Sequence, residues 1–258
     1  MAGSASDLPG SQHVNDRVYT HEFIDIIGPN RANYMHHMTA NWSPMAQEDR
    51  NQKCFGVWGT VGTTGHWPQV VNMWEEAGFD GLAEALGHEL GRPTLQDPKL
   101  ERWWLEASNF RSGGFDRVLI PASWTRTISE LCADGVSGVA YAHETIQLDP
   151  GGADDYLSRV RDEGIAAHEP FGWDLVGALK SSMHNDSECI VIWAIPSWEQ
   201  WAEFEKAVYA DPALKAWRDL QWNAKGFERF LMCDAPLSPM KIGRQPARTD
   251  SDKEWTDF

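Results

Sequence analysis

Residues 18–23 read VYTHEF and residues 140–145 read AYAHET, so one chain writes Tyr-x-His-Glu twice, 122 positions apart. Each copy sits on a β-like stretch that runs into a Gly/Pro turn, GPN in one case and DPGG in the other. If the pair marks a repeated unit, later elements must align at a similar offset that drifts only with loop length. Amphipathic segments follow in both places, NRANYMHHMTANWSPMAQ and GADDYLSRVRDEGIAAHEP. Two apolar runs come next, CFGVWGTV with WPQVVNMW and WDLVGALK with CIVIWAI, whose closing Trp74 and Trp193 align at 119. Helical patterns lead to two Asp-Pro starts, DPKLERWW (97–104) and DPALKAWR (211–218), with Trp103 and Trp217 at 114. In both, the Asp side chain can cap free N–H groups and the Pro fits the first turn. Each half closes on a strand that begins Phe-acid-Arg, FDRVLIPA (115–122) and FERFLMCDA (227–235), at 112.

The order strand, helix, strand, strand, helix, strand is the split-βαβ, ferredoxin-like unit, with one sheet face bare. Two such units bury their bare faces against each other. The expected fold is therefore α+β: two tandem ferredoxin-like βαββαβ units packed sheet-to-sheet into a dimeric-α/β-barrel-type fold within one chain. The halves are expected at 16–122 and 136–240, joined by a linker over 123–135. Residues 1–15 and 241–258 lack periodicity and read as tails.

Composition narrows the function classes. With 42% hydrophobic residues and 14 Trp among 258, the chain can build a core and aromatic pockets. A net charge of −16 and no basic stripe argue against nucleic acid. Cys54, Cys132, Cys189 and Cys233 lie far apart without a CxxC pair, which suits free thiols in a reducing compartment. The N-terminus lacks the apolar core of a signal peptide, and no apolar run is long enough to span a bilayer. These features predict a cytoplasmic protein, a monomer or homodimer, whose partner is a small hydrophobic or aromatic molecule.

The Tyr-containing first strand, the GVW of the second (56–58), the Trp-ended third and the closing APLSPM (235–240) resemble the NIPSNAP-like branch of the dimeric α/β-barrel superfamily. The wider superfamily includes cofactor-free monooxygenases, lactone isomerases, polyketide cyclases and haem proteins such as chlorite dismutases. The resemblance implies that Glu22 and Glu144 point into the barrel. It also makes His36 or His37, on the first helix, a possible axial ligand for haem.

Side chains alternate along a strand, so His21 and Glu22 face opposite ways, as do His143 and Glu144. A neutral imidazole suits proton transfer near neutral pH, and a buried carboxyl has a raised pKa unless a cation pairs with it. Arg117 and Arg229, on the closing strands, are the natural partners of Glu22 and Glu144. Tyr19, Trp58, Trp74 and, in the Gly/Thr-rich loop 60–69, His66 and Trp67 are expected around a ligand. No metal-ligand spacing, GxSxG or strand-borne GxGxxG occurs. The expected function is His/Glu acid–base chemistry on a hydrophobic or aromatic substrate, of the isomerase, cyclase, dehydratase or cofactor-free monooxygenase kind. No cofactor is expected, with haem the alternative, and a third reading is a ligand-binding or scaffold protein without chemistry.

Overall fold

The computed structural model describes residues 14–253. In the first half, β1 (Val18–Ile26) leads to α1 (Arg31–His36), which continues through a π-helical stretch, His37–Trp42, into α2 (Ser43–Arg50). Then come β2 (Lys53–Thr60), β3 (Gln69–Glu76), α3 (Gly78–Leu90), α4 (Glu101–Ala107) and β4 (Arg111–Pro121). A short helix, α5 (Ile128–Ala133), lies within the expected linker and starts with a capping box between Thr127 and Glu130. The second half holds β5 (Ala140–Gln147), α6 (Ala153–Arg159), α7 (Ile165–His168), β6 (Asp174–Ser181), β7 (Glu188–Ile195), α8 (Trp198–Ala210), α9 (Lys215–Trp222) and β8 (Gly226–Asp234). The eight strands form one closed antiparallel barrel in the order β1-β3-β2-β8-β5-β7-β6-β4. Within it, β4-β1-β3-β2 and β8-β5-β7-β6 have the same order. Two three-residue ladders, β2 with β8 and β4 with β6, close the ring.

The barrel is filled because every strand sends alternate large side chains inward. Tyr19, Phe23, Phe55, Trp58, Met73, Leu119, Tyr141, Ile192, Phe230 and Met232 form one buried cluster drawn from both halves. The opposite faces of the strands meet the helices in two separate clusters, one in each half. Gly56 sits at the bulge of β2, where an added Cβ would lie 2.1 Å from the Trp58 ring, so glycine is what lets this indole fold back against its own strand.

At the barrel centre the two Tyr-x-His-Glu copies meet. His21 Nε2 and His143 Nε2 are 3.0 Å apart, both rings are fully buried, and Phe230 stacks on His143. The histidines therefore pack inside the barrel. Burial holds both below the usual histidine range, His143 at about 3, with the charge of Arg117 pushing the same way. Two neutral rings share one hydrogen bond, so removing one partner strands a buried polar atom. His143→Leu is expected to cost about 1–3 kcal/mol in urea unfolding, and His21→Leu/His143→Leu to recover at least half of it. Because the folded state refuses protons that the unfolded chain accepts, the pair's stabilisation is also lost as pH falls below about 6.5.

The expected C-terminal tail is a correction as far as it is described. Its first residues end the short helix α10 (Pro239–Ile242), and residues 243–253 run back along the first half. Gln245 bonds both the N–H and the carbonyl of Cys54, at 2.9 and 2.8 Å, and Ser251 donates to Asn41 at 2.6 Å. Side-chain hydrogen bonds hold this segment, which is why it shows no apolar period. At the other end, Asn15 donates to the Tyr19 hydroxyl at 3.1 Å; residues 1–13 and 254–258 lie outside the described residues. Cys54 and Cys189 are buried and Cys132 and Cys233 half-buried, all four free. Among the described residues no helix is long and apolar enough to cross a membrane.

Candidate active site

Glu22 and Glu144 correct the expectation that they point into the barrel. Large apolar groups occupy the inward positions, and both carboxyls face the helices, where the two halves treat them differently. Glu144 is fully buried and accepts from Arg229 at 2.6 and 2.8 Å, Trp193 Nε1 at 3.2 Å and Gln221 at 3.2 Å. The space above it is filled by His168, stacked 3.8 Å from the Trp193 ring, with Phe204, Trp173 and Trp217 behind. This is a closed structural ion pair.

Glu22 has no such partner. The register sets Glu22 opposite Asp116 on β4, whereas Glu144 stands opposite Arg229 on β8. Arg117 is one residue out of step with Arg229: it lies opposite His21 and pairs at 2.7 Å with Glu188 instead. The matching Phe-acid-Arg strings thus hide a one-residue slip, which turns Arg117 to the inner face. Glu22 Oε2 accepts from Asn72 Nδ2 at 2.8 Å and Trp74 Nε1 at 3.0 Å, and Asn72 also donates to the buried Tyr34 hydroxyl at 2.9 Å. Burial, seconded by Asp116 and eased by Asn72, Trp74 and Arg111, raises its pKa to about 7.

The half-buried Glu22 opens into a cleft of about 250 Å³ between the outer face of the first half-sheet and its helices. Thr20, Trp74 and Glu76 form its floor and Met38, Trp42, Leu82, Trp103 and Trp104 its walls, while Arg111 and Asp116 stand on the closing strand. Trp42 lies 4.7 Å from Trp103, and the Arg111 guanidinium 5.7 Å from Trp104. The arrangement offers a carboxyl that titrates near neutrality, a nearby guanidinium and flat aromatic walls: enough to move a proton on a planar ligand and to steady the charge that results.

Two comparisons of sequence return nothing: no protein-family model and no curated protein matches this chain. Solved structures do match. The chain is similar to a NIPSNAP family protein of unknown function from Agrobacterium tumefaciens, at 28% identity over 40% of this chain and 94% of that one, TM-score 0.34. It is similar to a "putative monooxygenase" from Lactobacillus acidophilus over 91% of this chain and 97% of that one, at 7% identity and TM-score 0.54. A "putative monooxygenase" from Fusobacterium nucleatum aligns over 85% of this chain and 92% of that one, at 6% identity and TM-score 0.51. The two long alignments extend over most of both chains. The fold is a dimeric α/β barrel.

In this dimeric α/β barrel the remaining candidates fall in three places. Tyr19 and Trp58 join the interior with His21 and His143, and Tyr19 donates to Glu75 at 3.1 Å. His66 stands at one barrel mouth with Phe23, Phe115 and Arg117, its Nε2 3.5 Å from Asp25. Trp67, next to it, is largely exposed. Of the expected ligand-contacting residues, the cleft holds only Trp74.

The two helical histidines do not fit a haem. His37 is buried flat on Trp103, its Nε2 donates to the Trp103 carbonyl at 3.1 Å, and its Nδ1 accepts from Asn41 at 3.1 Å, so both nitrogens are engaged. His36 points outward to Asp252 at 3.1 Å. Neither lines the cleft.

Sequence reasoning missed Asn72, Asp116, Arg111, Arg50, Gln52 and Glu76. One signal was available: in QVVNMWEE (69–76) the alternate residues Asn72, Trp74 and Glu76 place polar groups on one face of an otherwise apolar strand, where the counterpart in CIVIWAI is Val191.

Proposed function

We propose that the chain is a small-molecule enzyme that works in the first-half cleft, with Glu22 as proton acceptor and donor on a flat aromatic substrate. The observation that carries this is the asymmetry of the two carboxyls: Glu144 is locked by Arg229, while Glu22, with a pKa of about 7, faces open space. As carboxylate, Glu22 accepts a proton from an acidic C–H or O–H of the substrate. The anion left behind lies near Arg111, and the proton returns to a different atom of the same conjugated system, which is an isomerisation. Oxygenation, the activity suggested by the names of the two long-aligning structures, would begin with the same deprotonation. We read the halves as a duplicated ferredoxin-like unit in which only the first has kept its cleft open.

The test is solvent exchange. In D₂O the protein is expected to speed deuterium uptake into the acidic CH₂ of 2-tetralone, followed by NMR; Glu22→Gln should abolish the effect and Glu144→Gln should keep it. Equal exchange by the Glu22→Gln variant would remove Glu22 from the chemistry. Saturable binding without exchange by any form would leave a ligand-binding protein.

A further inference from the structure

The cleft has a second polar end. Arg50 is the last residue of α2, Asn51 turns the chain in the left-handed region at φ 53°, and Gln52 follows at the edge of β2. This tight turn delivers Arg50 and Gln52 side by side to the cleft, beside Glu76 at the end of β3. All three are more than nine-tenths buried. Arg50 Nη1 donates to Glu89 at 2.6 Å and its guanidinium lies 4.9 Å over the Trp42 ring, but its Nη2 has no partner. Gln52 donates to Glu76 Oε1, and Gln52 Oε1 and Glu76 Oε2 have none either. One donor and two acceptors, buried and unmatched, are thus carried by three residues that line this end, a costly arrangement for a protein to keep unless something pairs with them.

From these residues we infer a recognition subsite for an uncharged hydroxyl group, placed by Arg50, Gln52 and Glu76 at the end of the cleft opposite Glu22. A hydroxyl accepts one hydrogen bond and donates one, which matches Arg50 Nη2 on one side and Glu76 Oε2 or Gln52 Oε1 on the other. A carboxylate does not match: the charge of Arg50 is already met by Glu89, and Glu76 would repel it. An ammonium group would face the guanidinium. Glu76 lies four residues along β3 from Asn72, the cross-strand neighbour of Glu22, or about 13 Å. A two-ring skeleton with a hydroxyl at each end is of the length to bridge that span. The volume, about 250 Å³, falls just below the usual range for ligand sites and suits so small a molecule. The inference rests on the reading of the cleft as the working site and adds what it selects.

Equilibrium binding, read by quenching of tryptophan fluorescence, tests it separately from turnover. The probes are 2,6-dihydroxynaphthalene, 2-naphthol and 2-naphthoate. The full-length protein is expected to bind the diol at least tenfold tighter than either of the others. Gln52→Leu and Arg50→Met should each remove most of that preference, while binding of 2-naphthol changes less than threefold. Gln52→Leu keeps the ion pair of Arg50 with Glu89, so it remains informative if Arg50→Met fails to fold. Equal affinity for the diol and 2-naphthol, tighter binding of the naphthoate, no saturable binding, or an unaltered preference in Gln52→Leu would each overturn the subsite. Failure of the acid–base reading shows elsewhere, as deuterium exchange that survives Glu22→Gln.

Discussion

Arg229→Leu is expected to destabilise the protein by about 3–5 kcal/mol, read from urea unfolding at pH 7. Glu144 is fully buried and Arg229 supplies both of its shortest hydrogen bonds. Without the guanidinium, Gln221 and Trp193 alone would have to solvate a buried carboxyl under a roof of aromatic rings. The cost reflects the stranded charge more than the worth of the pair. Arg229→Leu/Glu144→Leu should therefore recover most of the loss. A single variant within about 1 kcal/mol of wild type would show that the carboxyl escapes to water or takes a proton at little cost.

Glu22→Gln should have the opposite profile. Proton transfer by a positioned carboxyl contributes about 10²–10⁴-fold, so exchange or turnover should fall by that order. In the wild-type protein the rate of proton abstraction should rise with pH through about 7, as the carboxylate forms. Stability runs the other way. The folded state holds the Glu22 proton up to about 7, whereas the unfolded chain releases it near 4.5, so this group's contribution is lost as pH rises through that window. Glutamine cannot ionise. The variant should be more stable than wild type at pH 8, by about 1–3 kcal/mol, and no more stable at pH 4, as thermal melts at both pH values would show. A variant destabilised at pH 8 would make Glu22 a structural group.

Sequence alone carried much of the fold. The apolar runs and the Asp-Pro starts fall where the pattern put them, because hydrophobic period and capping are local properties. The site was harder to read. Alternation separated His21 from Glu22 but not inside from outside, since both faces of β1 are covered, one by the barrel interior and one by helices. The partner of Glu22 depends on the register of β1 with β4, where a one-residue slip exchanges Asp116 for Arg117, and the matching Phe115 and Phe227 conceal it. Arg50 and Gln52 reach the cleft only through a left-handed turn at Asn51, which no period announces.

The two closing ladders are three residues long each, while β1 and β5 pair with their neighbours over seven or eight. A half of this barrel standing alone would have two raw edges and a bare greasy face, and would need a second copy of itself. Identical copies must carry identical clefts. Tethering the halves in one chain lifts that symmetry, and each can then accumulate its own substitutions. Asp116 beside Glu22 and Arg229 beside Glu144 are differences that such freedom permits.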